Sequence, residues 1–125
     1  MYFPATLLTL LAVASTASAA AVSQRQANGG ADFGTCTPTM DFQLGRPGRK
    51  ATEGTFLPTD PLVAKGQQDA LNPNIITNRI CDQLTNVCGA NDAAKALCES
   101  AQAQVQGLGT KDASTADAFN SALGF

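Results

Sequence analysis

Apolar residues follow three different patterns along the chain. Residues 7–14 form a run that is apolar except for Thr9, residues 32–72 show only short alternating stretches, and from Asn72 onward apolar positions recur every three or four residues. The last spacing is typical of helices that bury one face. The pattern therefore predicts a mainly α fold with a helical hairpin and a third C-terminal helix, preceded by an irregular half with room for one short β-hairpin.

The first predicted helix begins after Asn72 and stops at Gly89. Asn72 is a good N-cap, and Pro73 suits the first helical position because its missing N–H would have no partner there. Gly89 is a natural stop because glycine readily adopts the left-handed conformation at a helix end. The apolar stripe of this helix consists of Ile76, Ile80, Leu84 and Val87.

The second predicted helix is capped by Asn91 or Asp92 and ends at Gly107 and Gly109. Its apolar stripe consists of Ala94, Leu97, Cys98, Ala101 and Val105. Because only a short turn separates the first two helices, we expect them to pack as an antiparallel hairpin.

A third helix is predicted from Lys111 or Ser114 to Leu123. Ser114 and Asp117 resemble a capping box in which aspartate replaces the usual glutamate. Phe119 and Leu123 lie four residues apart, so both face the same side of this helix and are expected in the core.

The irregular half contains one weak strand pattern. Met40, Phe42 and Leu44 alternate with polar residues, as in a strand with one buried face. Arg-Pro-Gly at residues 46–48 is typical of a turn, because proline fixes φ and glycine accepts a positive φ. A return strand at residues 55–57 would complete a β-hairpin.

Four cysteines, Cys36, Cys81, Cys88 and Cys98, are the main chemical feature of the chain, which contains no histidine. An even number of cysteines in an exported chain most often forms disulfides. A four-cysteine zinc site usually contains closely spaced Cys-x2-Cys pairs, and these cysteines are spaced differently. The sequence therefore predicts two disulfides and no bound metal.

Helix geometry ranks the three possible pairings of these cysteines. Cys81 and Cys88 would lie about 10.5 Å apart along one helix, too far for a disulfide. Cys81 and Cys98 are equidistant from the predicted turn, so they would face each other across the helical hairpin and leave Cys88 for Cys36. The alternative pairs Cys88 with Cys98 and Cys36 with Cys81, and it stays open at this stage.

The apolar run at residues 7–14 is followed by Ala-Ser-Ala at residues 17–19, which fits an export signal with its small-x-small cleavage site. We expect cleavage after Ala19, with Ala20 or Ala21 as alternative ends. The run is too short to span a bilayer, which needs about 20 residues. The sequence therefore predicts a secreted, extracellular protein without a membrane span.

Residues 20–31 are small and polar, and we expect a disordered leader there. Arg25 is either a monobasic processing site or part of an uncut flexible tail. Residues 32–125 would then form a single domain whose small core depends on its disulfides.

Charge and composition narrow the possible chemistry. Eight basic and ten acidic residues give a net charge of −2, which argues against nucleic-acid binding. Without histidine there is no Ser-His-Asp or Cys-His nucleophile system, and we expect no cofactor. Carboxylate pairs are the remaining catalytic option. The candidate carboxylates are those of Asp41, Glu53, Asp60, Asp69 and Glu99, and no spacing singles out a pair.

Arg46, Arg49 and Lys50 are the one concentration of charge, and they flank the predicted turn. Three cations on a turn could bind a phosphate, sulfate or uronate group. The alternative is a solvated hairpin tip with no ligand.

The chain resembles a group of small cysteine-containing secreted proteins of filamentous fungi. The resemblance rests on residues 36–42, 48–50, 75–84 and 116–120, which match in character and order. It implies a fungal extracellular protein that acts at a host or cell-wall interface, and it carries no catalytic residue across.

Together these features lead us to expect a non-enzymatic, monomeric binding protein with an effector-like or signalling role. Its partner would be an extracellular protein or a cell-wall component. The alternatives are a cell-wall-associated structural protein and a carboxylate-based secreted hydrolase.

Overall fold

The computed structural model describes residues 30–125. The expected signal sequence, the cleavage after Ala19 and the processing site at Arg25 lie outside the described residues. In chain order the elements are strands β1 (Met40–Leu44) and β2 (Gly54–Pro58), and helices α1 (Pro61–Ala64), α2 (Pro73–Gln83), α3 (Asp92–Leu108) and α4 (Ala113–Ala122). A mainly helical domain with a short antiparallel hairpin was predicted, and the structure confirms it.

The two strands form an antiparallel hairpin in which Phe42 lies opposite Phe56. The predicted turn at residues 46–48 is present, since the Arg49 N–H donates to the Arg46 carbonyl at 2.8 Å and Gly48 has a φ of 82°. On its outer side Phe56 exchanges two backbone hydrogen bonds with Ala70. The segment after α1 therefore lies against the edge of β2.

Helix α2 begins as predicted, because the Asn72 side chain accepts a hydrogen bond from the Asn74 N–H. It continues as a π-helical turn, Leu84–Cys88, and ends at Gly89, whose φ is 68°. Within this turn Cys88 is buried, whereas Val87 is 43% exposed. The placement of Val87 in the buried stripe was therefore wrong.

Helices α3 and α4 complete the domain. Asn91 caps α3 through the Ala94 N–H, and Gly109, with a φ of 67°, follows its last residue. The capping box of α4 is formed by Asp112 and Thr115, so the predicted box of Ser114 and Asp117 was wrong. Asp112 forms the N-cap because its carboxylate directly precedes the first helical turn and accepts hydrogen bonds from backbone N–H groups there.

Two disulfides tie these elements together, and they are the pair that the helix geometry favoured. Cys81–Cys98 crosses the helical hairpin with its Cα atoms 5.6 Å apart, and Cys36–Cys88 joins the N-terminal half to the end of the π-helical turn with its Cα atoms 5.3 Å apart. The irregular half is thereby covalently attached to the helices.

The core lies between the β-hairpin and the helices, and every long element contributes to it. Its largest fully buried apolar side chains are Phe56, Phe119, Met40, Ile76, Ile80, Leu84, Leu123, Val63 and Val105. Leu44, the last residue of β1, is 61% exposed and does not join them. Within the part of the chain that the structure describes, no helix has the length and apolar character needed to cross a bilayer.

The described N-terminal segment is fastened to the loop between α2 and α3. The Asn91 side chain accepts from the Asp32 N–H at 3.0 Å and donates to the Gly30 carbonyl at 3.1 Å. The Thr35 N–H donates to the Cys88 carbonyl, also at 3.0 Å. One asparagine therefore caps α3 and holds the segment that leads to Cys36.

Candidate functional site

A cleft of about 560 Å³ lies between the loop that follows β1 and the segment that follows α1. We call it the hairpin cleft. It is lined by Arg46, Pro47, Gly48, Arg49, Leu57, Gln67, Gln68 and Asp69. It brings together two of the three residues predicted as an anion-binding loop, Arg46 and Arg49. Lys50 is exposed and does not line the cleft.

Arg46 folds back across the hairpin instead of extending into solvent. One guanidinium N–H donates to the Thr55 carbonyl at 2.8 Å, and the other nitrogen forms an ion pair with the Asp41 carboxylate. Its side chain is only 10% exposed. The positive charge of Arg46 is therefore compensated within the hairpin.

Arg49 joins the other wall of the cleft. Its Nε donates to the Asp69 carboxylate at 3.1 Å and its Nη2 to the Asp69 carbonyl at 3.0 Å. Two bonds from one planar guanidinium to the same residue fix its orientation. The loop after β1 is thereby attached to the segment that contains Asp69.

Thr55, in β2, contacts both Arg46 and Asp69, the residue that Arg49 binds. It is fully buried, and its hydroxyl lies 3.4 Å from the Arg46 guanidinium. The hydrogen bond of this hydroxyl, followed by the hydrogen bond and charge of Arg49, holds the pKa of Asp69 below its ordinary value, although burial acts in the opposite direction. A polar network, which we call the arginine network, therefore runs from Asp41 through Arg46, Thr55 and Asp69 to Arg49, and Asp69 stays ionised.

The side-chain amides of Gln67 and Gln68 add neutral donors and acceptors to the cleft. Gln67 Nε2 donates to the Gln68 backbone carbonyl at 2.9 Å. The two glutamines and Asp69 were not predicted as neighbours of the arginines. Asp69 lies 20 residues from Arg49, and no local motif marks contacts at such a separation.

The candidate catalytic carboxylates are spread over several places. Asp60 caps α1 through the Leu62 N–H and accepts a second hydrogen bond from the Thr37 N–H at 2.8 Å. Asp41 and Asp69 belong to the arginine network. In the folded chain these three carboxylates therefore accept hydrogen bonds from backbone N–H groups or from arginine side chains.

A second, smaller cleft of about 290 Å³ lies beside the Cys81–Cys98 disulfide. Its lining residues are Cys81, Asp82, Thr85, Asn86, Lys95 and Glu99. Acidic and basic side chains are mixed along it, and its Lys95 pairs only at 4.0 Å with Asp92, whose side chain is fully exposed. The hairpin cleft is therefore the stronger candidate for a binding site.

Comparison of the chain with models of known protein families, with curated proteins and with solved structures finds no match.

Proposed function

We propose that this protein is a secreted, non-enzymatic binding protein that recognises an extracellular protein or a cell-wall component through the hairpin cleft. Its role would be effector-like or signalling, at a host or cell-surface interface. The observation that carries the proposal is the arginine network, which holds both walls of the cleft in a fixed relation.

A fixed cleft favours binding because the ordering of side chains is completed on folding and does not recur when a ligand arrives. Arg46 and Arg49 are held by Asp41 and Asp69, so the cleft offers positioned polar groups of nearly balanced charge. Pro47 and Leu57 add apolar surface. Such a mixture suits a polar, uncharged or weakly acidic ligand surface.

Export is supported by the two disulfides. Disulfides persist in oxidising compartments and are rare where thiols are kept reduced. The cysteines of the described chain are all paired. Together with the signal-like segment at residues 7–19, this supports an extracellular destination.

Binding is a better account than carboxylate-based hydrolysis. A general acid must hold a proton near the working pH, whereas the pKa of Asp69, the acidic residue that lines the cleft, is lowered. Its carboxylate also accepts hydrogen bonds from the scaffold. The cleft thus contains a structural carboxylate where a hydrolase would need a proton donor.

The proposal is tested by the binding of labelled mature protein to washed cell walls of the producing organism and to intact cells of a potential host. The test variant combines Gln67→Ala with Gln68→Ala, which removes two cleft amides without touching the arginine network. The matched control combines Gln104→Ala with Gln106→Ala, two exposed glutamines on α3.

We expect the control to bind like the wild type and the cleft variant to lose at least about tenfold in affinity, about 1.4 kcal/mol. Binding to host cells would support the effector-like role, and retention on the producer's own walls would support the structural alternative. No binding to either surface, or equal binding by both variants, would contradict the proposal.

A further inference from the structure

The outer edge of β1 carries backbone groups that no other part of the described chain uses. The register of the hairpin, together with the hydrogen bonds outside it, fixes which way each peptide group points. Alternate residues of a strand direct their N–H and C=O groups to opposite sides. The direction of each group in β1 can therefore be derived from its neighbours.

Gly45 donates its N–H to the Glu53 carbonyl, and the Thr59 N–H donates to the Thr39 carbonyl, so odd-numbered residues of this segment bond toward β2. Met40, Phe42 and Leu44 must then direct their backbone groups away from β2. Phe56, which lies opposite Phe42, likewise directs its backbone groups away from the partner strand, because it exchanges hydrogen bonds with Ala70.

Asn120 already occupies the first of these outward positions. Its side-chain carbonyl accepts from the Met40 N–H at 2.9 Å, and its amide donates to the Met40 carbonyl at 2.8 Å. A neighbouring strand would make the same two bonds. The backbone N–H and C=O groups of Phe42 and Leu44 also point outward, and among residues 30–125 they have no comparable hydrogen-bond partner.

We propose that this edge pairs with the same edge of a second copy of the chain, as two antiparallel β1 strands related by a two-fold axis at Gln43. In that register Phe42 of each copy lies opposite Leu44 of the other. Each such pair exchanges two backbone hydrogen bonds, and the two hairpins together form a four-stranded sheet. This inference does not depend on the function proposed for the hairpin cleft.

The ends of the strand fit this arrangement. Met40 would lie opposite Arg46 of the second copy, but the strand has already left the edge there, because Gly45 adopts a φ of 65° and begins the turn. The incoming strand therefore ends before it reaches the position that Asn120 fills. An unrelated strand of greater length would meet the Asn120 side chain.

Charge and side-chain exposure also favour a second copy. Asp41 would lie opposite Gly45 of the other copy, so no like charges face each other across the new pair. Leu44, 61% exposed in the single chain, would be covered by the partner strand. The edge lacks the lysine or proline that commonly blocks such pairing.

The contact is small, since only two residues per copy contribute backbone bonds. Stable interfaces generally bury about 1,200 Å² or more, so we expect a reversible dimer that forms at high protein concentration. It would be monomeric when dilute.

The test compares wild-type mature protein with Leu44→Pro and Leu44→Val by sedimentation equilibrium between about 20 µM and about 1 mM. Proline at position 44 removes the outward N–H but no bond to β2, as edge positions permit. Valine keeps the N–H. With increasing concentration we expect the mean mass of the wild type and of Leu44→Val to rise toward twice the monomer mass. The mean mass of Leu44→Pro should stay at the monomer mass.

Amide hydrogen exchange of the wild type gives a second measurement that needs no variant. Over the same concentration range the Phe42 and Leu44 amides should become at least about threefold more protected, while the exposed Gln68 amide should not change. A wild type that stays monomeric at 1 mM with unchanged exchange at Phe42 and Leu44 would overturn the proposal, as would equal self-association by a folded Leu44→Pro variant.

Discussion

Thr55 shows how one buried side chain organises the candidate site. It is fully buried and contacts the Arg46 guanidinium, and its hydroxyl makes the largest contribution to the lowered pKa of Asp69. Thr55 was predicted as part of the return strand of the hairpin, but its role in the candidate site was not predicted. The reason is that the role depends on Arg46 and Asp69, which reach Thr55 only after the chain has folded.

We expect Thr55→Val to destabilise the fold by about 1–2 kcal/mol, because Arg46 and Asp69 lose the hydroxyl of a buried residue as a hydrogen-bond partner. The pKa of Asp69 should rise toward its ordinary value. Urea unfolding measures the first effect, and a carbon-detected NMR titration of the carboxylate measures the second. Thr52→Val, at an exposed position of the loop that precedes β2, is the control and should change neither.

The pH dependence has a defined sign. Because the folded state lowers the pKa of Asp69, its stabilising contribution is complete above the unfolded pKa of about 4. The contribution is lost as pH falls through the lower folded value. Urea unfolding of the wild type should therefore show more loss of stability in this acidic range than that of Thr55→Val, and parallel pH profiles would contradict the role of Thr55.

Gly34 offers a second test at the residue scale. A Cβ atom at this position would lie 1.9 Å from the Cys88 carbonyl oxygen, and the φ of Gly34 is 69°. We expect Gly34→Ala to cost about 2–4 kcal/mol, from the left-handed backbone and from the clash. Gly109 has a φ of 67° and nothing within 4 Å, so Gly109→Ala should cost only about 1 kcal/mol. Equal unfolding free energies for the two variants would contradict the close approach at Cys88.

At the scale of elements, the helices were predictable because their ends are marked by local chemistry. Asn72, Gly89 and Asn91 act through the backbone groups next to them. The π-helical turn was not predictable, because no residue of Leu84–Cys88 requires it by itself. Cys88, its last residue, is bonded to Cys36, 52 residues away along the chain.

The two disulfides should differ in their contribution to stability. Loop entropy assigns about 3 kcal/mol to Cys81–Cys98, which spans 17 residues, and about 4 kcal/mol to Cys36–Cys88, which spans 52. We expect Cys36→Ala with Cys88→Ala to destabilise more than Cys81→Ala with Cys98→Ala.

Thermal unfolding followed by circular dichroism would measure this order. The double variant at Cys81 and Cys98 should also keep the β-hairpin bound to α4 through the hydrogen bonds between Asn120 and Met40. Protection of the Met40 amide against hydrogen exchange would show that these bonds remain. The reverse order of stability would show that strain in the folded chain, and not loop closure, decides the contribution of each bridge.

At the scale of the whole molecule, a few long-range contacts fix the structure of the N-terminal half, whose apolar pattern is weak. Cys36–Cys88 attaches it to the helices, and Asn120 holds β1 at Met40. The order of elements and the favoured cysteine pairing could be predicted, because both follow from periodicity and helix geometry. The hairpin cleft could not, because its walls come from separate segments that meet only in the folded domain.

The central claim is that an exported domain, closed by these two disulfides, presents the hairpin cleft outside the cell. The most direct test expresses the full chain in a eukaryotic secretory host and maps the peptides of the secreted protein without reduction by mass spectrometry. We expect the protein in the medium to lack residues 1–19 and to yield Cys36 linked to Cys88 and Cys81 linked to Cys98. Retention of the protein inside the cell, or a Cys81–Cys88 link in the secreted protein, would contradict the account.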